Sequence, residues 1–140
     1  MRAYSDALES YGAVQVITGV ATANNVQLIQ MLFDGFLDTL MTARGHMENN
    51  AIEEKSKALA KAGRIVVGLQ GALDFEKGGE LAQNLNELYA YVLRRLFVVN
   101  ARNDLEVLDE LHGLIKEVAQ AWQSLPSLLS VRAGTAQSYN

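Results

Sequence analysis

The sequence predicts an all-α protein, an antiparallel four-helix bundle with a short N-terminal helical or extended leader. Three observations carry this prediction. The only proline is Pro126, so the long stretch ahead of it lacks the strongest helix breaker. Apolar residues in that stretch recur at steps of three and four, the helical period, and not at steps of two. Turn-forming clusters at Asn49-Asn50, Gly78-Gly79 and Asn100 to Asn103 cut it into four segments, and brief turns leave successive helices side by side and opposed.

The first helix carries a stripe of Ile29, Phe33, Phe36, Leu40, Ala43 and Met47. Asn24 with Gln27 three residues on reads as its cap, which starts it near Asn25. Asn50 with Glu53 repeats the signature before a second stripe of Leu59, Ala62, Val66, Leu69 and Leu73, widened by Ala58, Ile65 and Ala72, with an end expected near Phe75. Gly78-Gly79 reads as a loop. After it Leu81, Leu85, Leu88, Val92, Leu96 and Val99 form the third stripe. Asn103 with Glu106 suggests the last cap, and Leu108, Leu111, Ile115, Val118, Trp122 and Leu125 carry the fourth stripe to Pro126. Small residues at Gly35, Ala43, Ala62 and Gly63 are expected to let backbones approach. The domain limits that follow are a leader over 1–23, the bundle over 24–126 and a mobile tail over 127–140. The leader has its own helical stripe of Tyr4, Leu8, Tyr11 and Val14, cut short by Gly12 and Gly19.

Composition bounds the function. At 140 residues, 49% hydrophobic and 20% charged, the chain suits one folded domain. A net charge of -4 and pI near 5.1 argue against nucleic-acid binding, which is built on Lys and Arg contacts to phosphate. Without cysteine there is no disulfide, thiol chemistry or zinc knuckle, which fits a reducing compartment. Asp6 and Glu9 fall where a signal peptide needs an apolar run, and no stretch approaches the ~20 apolar residues of a membrane span. A protein that stays in the cytoplasm, with no membrane insertion, is expected.

No catalytic constellation stands out, and no enzyme, cofactor or metal is expected. A di-metal bundle needs Glu-x-x-His pairs on two helices. His112 has Asp109 at that spacing, but His46 has Ala43. Against a phosphotransfer histidine, His112 falls on a stripe with Leu105, Leu108, Ile115 and Ala119, which predicts a half-buried position. Gly78-Gly79 lacks the Lys and Ser or Thr of a phosphate loop. What the chain does have is surplus apolar surface. Helix three puts Tyr91 and Val98 opposite its stripe, flanked by Tyr89, Leu93 and Phe97. A helix apolar nearly all round in a bundle this small predicts an interface, with Tyr89, Tyr91, Leu93, Phe97 and Val98 as its residues.

Several segments together resemble a known family. They are Gln27-Leu-Ile-Gln-Met-Leu-Phe-Asp-Gly35, Leu73-Asp-Phe-Glu-Lys-Gly-Gly-Glu80, Asn84-Leu-Asn-Glu-Leu-Tyr-Ala-Tyr91, Arg94-Arg-Leu96, Asn100-Ala-Arg-Asn-Asp104 and Ala121-Trp122. The family is the flagellar secretion chaperone FliS, and the match runs over roughly residues 11 to 125. One departure is Asn24-Asn25 after Thr22-Ala23, where the family usually has Ser-Pro. The resemblance implies a cytoplasmic chaperone that binds the disordered C-terminal segment of flagellin, prevents its premature polymerisation, and aids delivery to a component of the flagellar type III export gate. It also implies that Leu8 and Tyr11 belong to a leader segment that covers part of the client groove, a displaceable lid over residues 1 to 20. A helical scaffold for another flagellar or regulatory protein, or a homodimer using the same surface, are the other readings the residues leave open.

Overall fold

The computed structural model describes residues 23–124, with side chains from Val26 onward. Among the described residues there are four helices and no strand: α1 (Ala23–Glu48), α2 (Ile52–Gly71), α3 (Phe75–Arg102) and α4 (Leu105–Gln123). Each helix packs on its neighbour in the chain, and α4 closes back onto α1. The side chains establish the antiparallel sense. At one end the Trp122 indole N–H, late in α4, donates to the Val26 carbonyl at 3.0 Å, and its ring meets Phe33 edge-on with centroids 6.1 Å apart. At the other end Arg44 of α1 pairs with Asp109 near the start of α4. The all-α four-helix bundle expected from the sequence is thus the observed fold. Leu8, Tyr11 and the rest of the leader before residue 23, together with Pro126 and the tail, lie outside the described residues.

The core is built from the predicted stripes. Ile29, Phe33, Phe36, Leu40, Ala43 and Met47 of α1 are all buried, as are Ala58, Leu59, Ala62, Ile65, Val66, Leu69 and Ala72 from α2 and its C-cap. Val92, Leu96 and Val99 come from α3, and Val107, Leu108, Leu111, Ile115 and Ala119 from α4. Each large side chain so buried contributes about 1.5–3 kcal/mol before ordering entropy is subtracted. Thr39 is buried, and its hydroxyl is satisfied within its own helix by donating to the Gly35 carbonyl at 2.6 Å.

The helix ends differ from the sequence expectation, and asparagine is the reason. Asn50 caps no helix. Its φ of 56° is left-handed, and it terminates α1 while the Asn50 N–H bonds back to the Met47 carbonyl and the Ala51 N–H to the His46 carbonyl, the paired bonds of a Schellman ending. Asn103, at φ 53°, ends α3 with another left-handed residue, its own N–H and that of Asp104 both bonding to the Val99 carbonyl. The cap of α4 is the next residue, Asp104, whose carboxylate accepts from the Val107 N–H at 3.1 Å. Helix α1 is described from Ala23, two residues ahead of the start expected near Asn25, with Asn24 inside it.

The α2–α3 connection also falls elsewhere. Helix α2 ends at Gly71, not near Phe75. Asp74 caps a single turn by accepting from the Glu76 and Lys77 N–H groups, both at 2.9 Å. Gly79 then breaks the turn at φ 50°, ψ -126°, a conformation open to glycine and costly to any residue with a Cβ. Gly78 beside it has no room for one, since an added Cβ would lie 2.8 Å from that of Ala82. The glycine pair is therefore a kink inside α3. Leu81, expected to begin the third stripe, sits just past the kink at 66% exposure, and Ala82 takes the inward place.

Candidate partner-binding groove

An apolar opening runs between α2 and α3. Ser56, Leu59, Ala60 and Gly63 form one wall, and Leu93, Leu96, Phe97 and Asn100 the other, around a cavity of about 240 Å³. Helical spacing explains the first wall: Ser56, Ala60 and Gly63 recur at four and three on the flank of α2 beside the core stripe. All three are small, and that makes the groove. An added Cβ at Gly63 would sit 3.8 Å from Leu93 Cδ2 and 3.9 Å from Leu96 Cδ1, so the glycine leaves an opening beside the half-buried Leu93 and over the buried Leu96. Phe97 stands on the opposite lip at 80% exposure, more than any other large hydrophobic residue described. Burying a phenyl ring from that state is favourable by about 2 kcal/mol.

One end of the groove is closed by hydrogen bonds. Ser56 Oγ donates to Asn100 Oδ1 at 3.2 Å, while the Asn100 carbonyl accepts from Lys55 Nζ at 3.0 Å. Lys55 is only 7% exposed. Its ammonium also reaches Asn103 Oδ1 at 3.5 Å, and so sits at the C-terminal end of α3, where the helix dipole is negative. Asn103 in turn donates to the Met47 carbonyl at 3.4 Å, tying three helices together beside a smaller opening lined by His46, Asn50, Ala51, Ile52, Lys55 and Asn103.

Groups suited to chemistry are scattered. His46 and His112 are both half-buried, and Asp109, at metal-ligand spacing from His112, is engaged by Arg44. Among the described residues no cluster of His, Asp and Glu could hold a metal ion, and no helix is long and apolar enough to cross a membrane.

A family model described as flagellar protein FliS matches residues 7–128. The flagellar secretion chaperone FliS of Salmonella typhimurium is 44% identical over 119 residues, spanning 84% of this chain and 88% of the relative. The flagellar secretion chaperone FliSB of Pseudomonas aeruginosa is 44% identical over 119 residues, spanning 85% and 94%, and FliS of Bacillus subtilis is 33% identical over 104 residues, spanning 74% and 77%. The chain belongs to the flagellar protein FliS family. Membership carries the role of a flagellar secretion chaperone, a class that does no chemistry of its own.

Within this FliS-family bundle the five residues expected at an interface separate. Leu93 and Phe97 line the groove. Tyr89 does not: it is 3% exposed within the core, and burial pushes its phenol pKa well above the ordinary value. The expectation that the core leaves Tyr89 unused is therefore corrected. Tyr91 and Val98 are half-buried against the core, and Tyr91 reaches α4. The Tyr91 hydroxyl donates to Glu110 Oε2 at 2.8 Å, and that bond raises its pKa. Sequence reasoning missed Ser56, Ala60 and Gly63, although their four-and-three spacing opposite bulky leucines was a readable signal. It also missed Lys55, which carried none, since lysine is ordinarily a surface residue.

Proposed function

We propose that this chain is a cytoplasmic export chaperone that binds the disordered C-terminal segment of flagellin, holds it back from premature polymerisation and aids its delivery to the flagellar type III export apparatus. The observation that carries this reading is the α2–α3 groove, an apolar cleft on a rigid bundle with Phe97 unpartnered on its lip. Membership of a secretion-chaperone family supports it. Flagellin ends assemble by burying helical apolar faces, so a partner that takes those faces first blocks assembly. A disordered segment wraps such a surface at an ordering cost of some 2–5 kcal/mol, which a preformed groove offsets by presenting anchor sites at helical spacing. The leader residues Leu8 and Tyr11 act in this scheme as a displaceable cover of the client site.

Titration of the full chain with a peptide of the flagellin C-terminal segment tests the proposal. Calorimetry should give a negative heat-capacity change and far-UV circular dichroism a gain of helix on mixing. No binding, either by the full chain or after deletion of residues 1–22, would refute it.

A further inference from the structure

The groove has a charged border as well as an apolar floor. Gly63 and Leu93 face each other across it at the same level, as the 3.8 Å approach of a Gly63 Cβ to Leu93 Cδ2 fixes. The next residue on each helix is an arginine, Arg64 on α2 and Arg94 on α3. One residue turns an α-helix by about 100°, which carries both side chains from the groove wall onto the outer crest, one on either side. Arg94 is exposed and Arg64 half-buried. Lys57 follows Ser56 in the same sense, but it is already paired with Glu53 at 3.3 Å. Among the described residues neither Arg64 nor Arg94 forms a salt bridge; the Arg94 guanidinium rests over the Tyr91 ring, 6.0 Å from its centroid, on the α4 side of the crest, and its exposed side chain must swing back across α3 to meet a client carboxylate. In a chain of net charge -4 the α2–α3 groove is thus flanked by two guanidinium groups that no carboxylate among the described residues neutralises.

We propose that the groove takes an amphipathic helical segment of the client with acidic residues on both flanks of its apolar stripe, Arg64 reading one flank and Arg94 the other. The inference rests on the client-binding reading above and adds the charge chemistry of the client. A helix seated on Ala60, Gly63, Leu93 and Phe97 turns the residues beside its apolar stripe toward the two crests. Guanidinium groups pair with carboxylates there in a bidentate manner. Because the crests are open to water, the contribution is to encounter rate and to choice of segment, and salt screens it.

The test measures binding of the flagellin C-terminal peptide to the wild-type chain, to R64Q/R94Q and to F97A, at about 0.02 M and about 0.5 M sodium chloride. Glutamine keeps helix propensity and length, and thermal melts confirm that each variant folds. The expected result is an association rate about ten-fold lower for R64Q/R94Q at low salt, converging on wild type at high salt, with F97A weakened alike at both. A peptide whose Asp and Glu are changed to Lys should bind R64E/R94E better than wild type. Wild-type kinetics in R64Q/R94Q, or a salt dependence that survives in it, would overturn the inference while leaving client binding intact. Absence of binding at either salt would remove the client reading and this one with it. A dimer of the free chain that F97A dissociates would assign the groove to another occupant, and salt-dependent binding that vanishes only when residues 1–22 are deleted would assign the client's charged contact to the leader; either would equally overturn it.

Discussion

Replacing Lys55 by methionine isolates a single ammonium. The side chain is 7% exposed, and methionine preserves most of its stem, so no cavity term enters. What is removed is a 3.0 Å hydrogen bond to the Asn100 carbonyl and a longer contact to Asn103 Oδ1, both at the negative end of α3. A hydrogen bond from a charged donor contributes about 1.5–3 kcal/mol, and a cation at a helix C-terminus overlaps with that figure rather than adding to it. Against this, methionine needs no dehydration of a charge, and the exposed Asn100 can turn its freed carbonyl to water. A net loss of about 2 kcal/mol remains, which for a domain of this size lowers Tm by about 8 °C. Thermal melts followed at 222 nm, with urea titration to confirm an unchanged slope, measure it. A Lys55→Met chain as stable as wild type, or more so, would show that dehydrating the ammonium costs as much as its bonds return, and the account of this end of the bundle would be wrong.

Three further outcomes are expected. Phe97→Ala should change the free chain's stability by less than about 0.5 kcal/mol, since the ring is already in water, yet weaken client binding about 30-fold by isothermal titration, the equivalent of about 2 kcal/mol of lost burial. Burial raises the Tyr89 phenol pKa, so the folded state holds that proton more tightly than the unfolded chain. The associated stability is complete below about pH 10, where the unfolded phenol titrates, and is lost as pH rises beyond it; Tyr89→Phe should flatten the fall of Tm between about pH 10 and pH 11 while leaving the neutral value almost unchanged. Asn103→Ala forces a Cβ without a compensating amide into a left-handed position and should lower the urea midpoint by the equivalent of about 1–2 kcal/mol, whereas Asn103→Gly should lower it by less than half as much.

The stripes of α1, α2 and α4 were legible because each of those helices buries one side, and burial of one side writes a period of 3.6 into the sequence. The boundaries were harder for a specific reason. Asparagine serves equally as a helix N-cap and as the left-handed residue past a C-terminus, and Asn50 and Asn103 each stand where one helix stops and another starts. Only the backbone bonds distinguish the two uses. At the groove, Phe97 and Leu93 were readable as apolar residues off the core stripe. Tyr89 met the same criterion but is inside: it stands three residues before Val92 and seven before Leu96, on the buried face of α3, a spacing that a stripe read through Leu85 and Leu88 passes over. Lys55 was unreadable in principle: its partners are backbone and amide oxygens of a helix far away in the chain, and such acceptors leave no mark on composition.

Trp122 has a consequence for watching this protein at work. It is the single indole of the chain, lodged at the α1–α4 seam by its bond to Val26 and its contact with Phe33, on the side of the bundle away from the α2–α3 cleft. Its emission is therefore a built-in optical gauge of whether that seam is shut, insensitive to a ligand that lies across the opposite face. Paired with a dye on the incoming peptide, the two colours would separate occupancy from opening in one cuvette, with no residue of the chaperone altered.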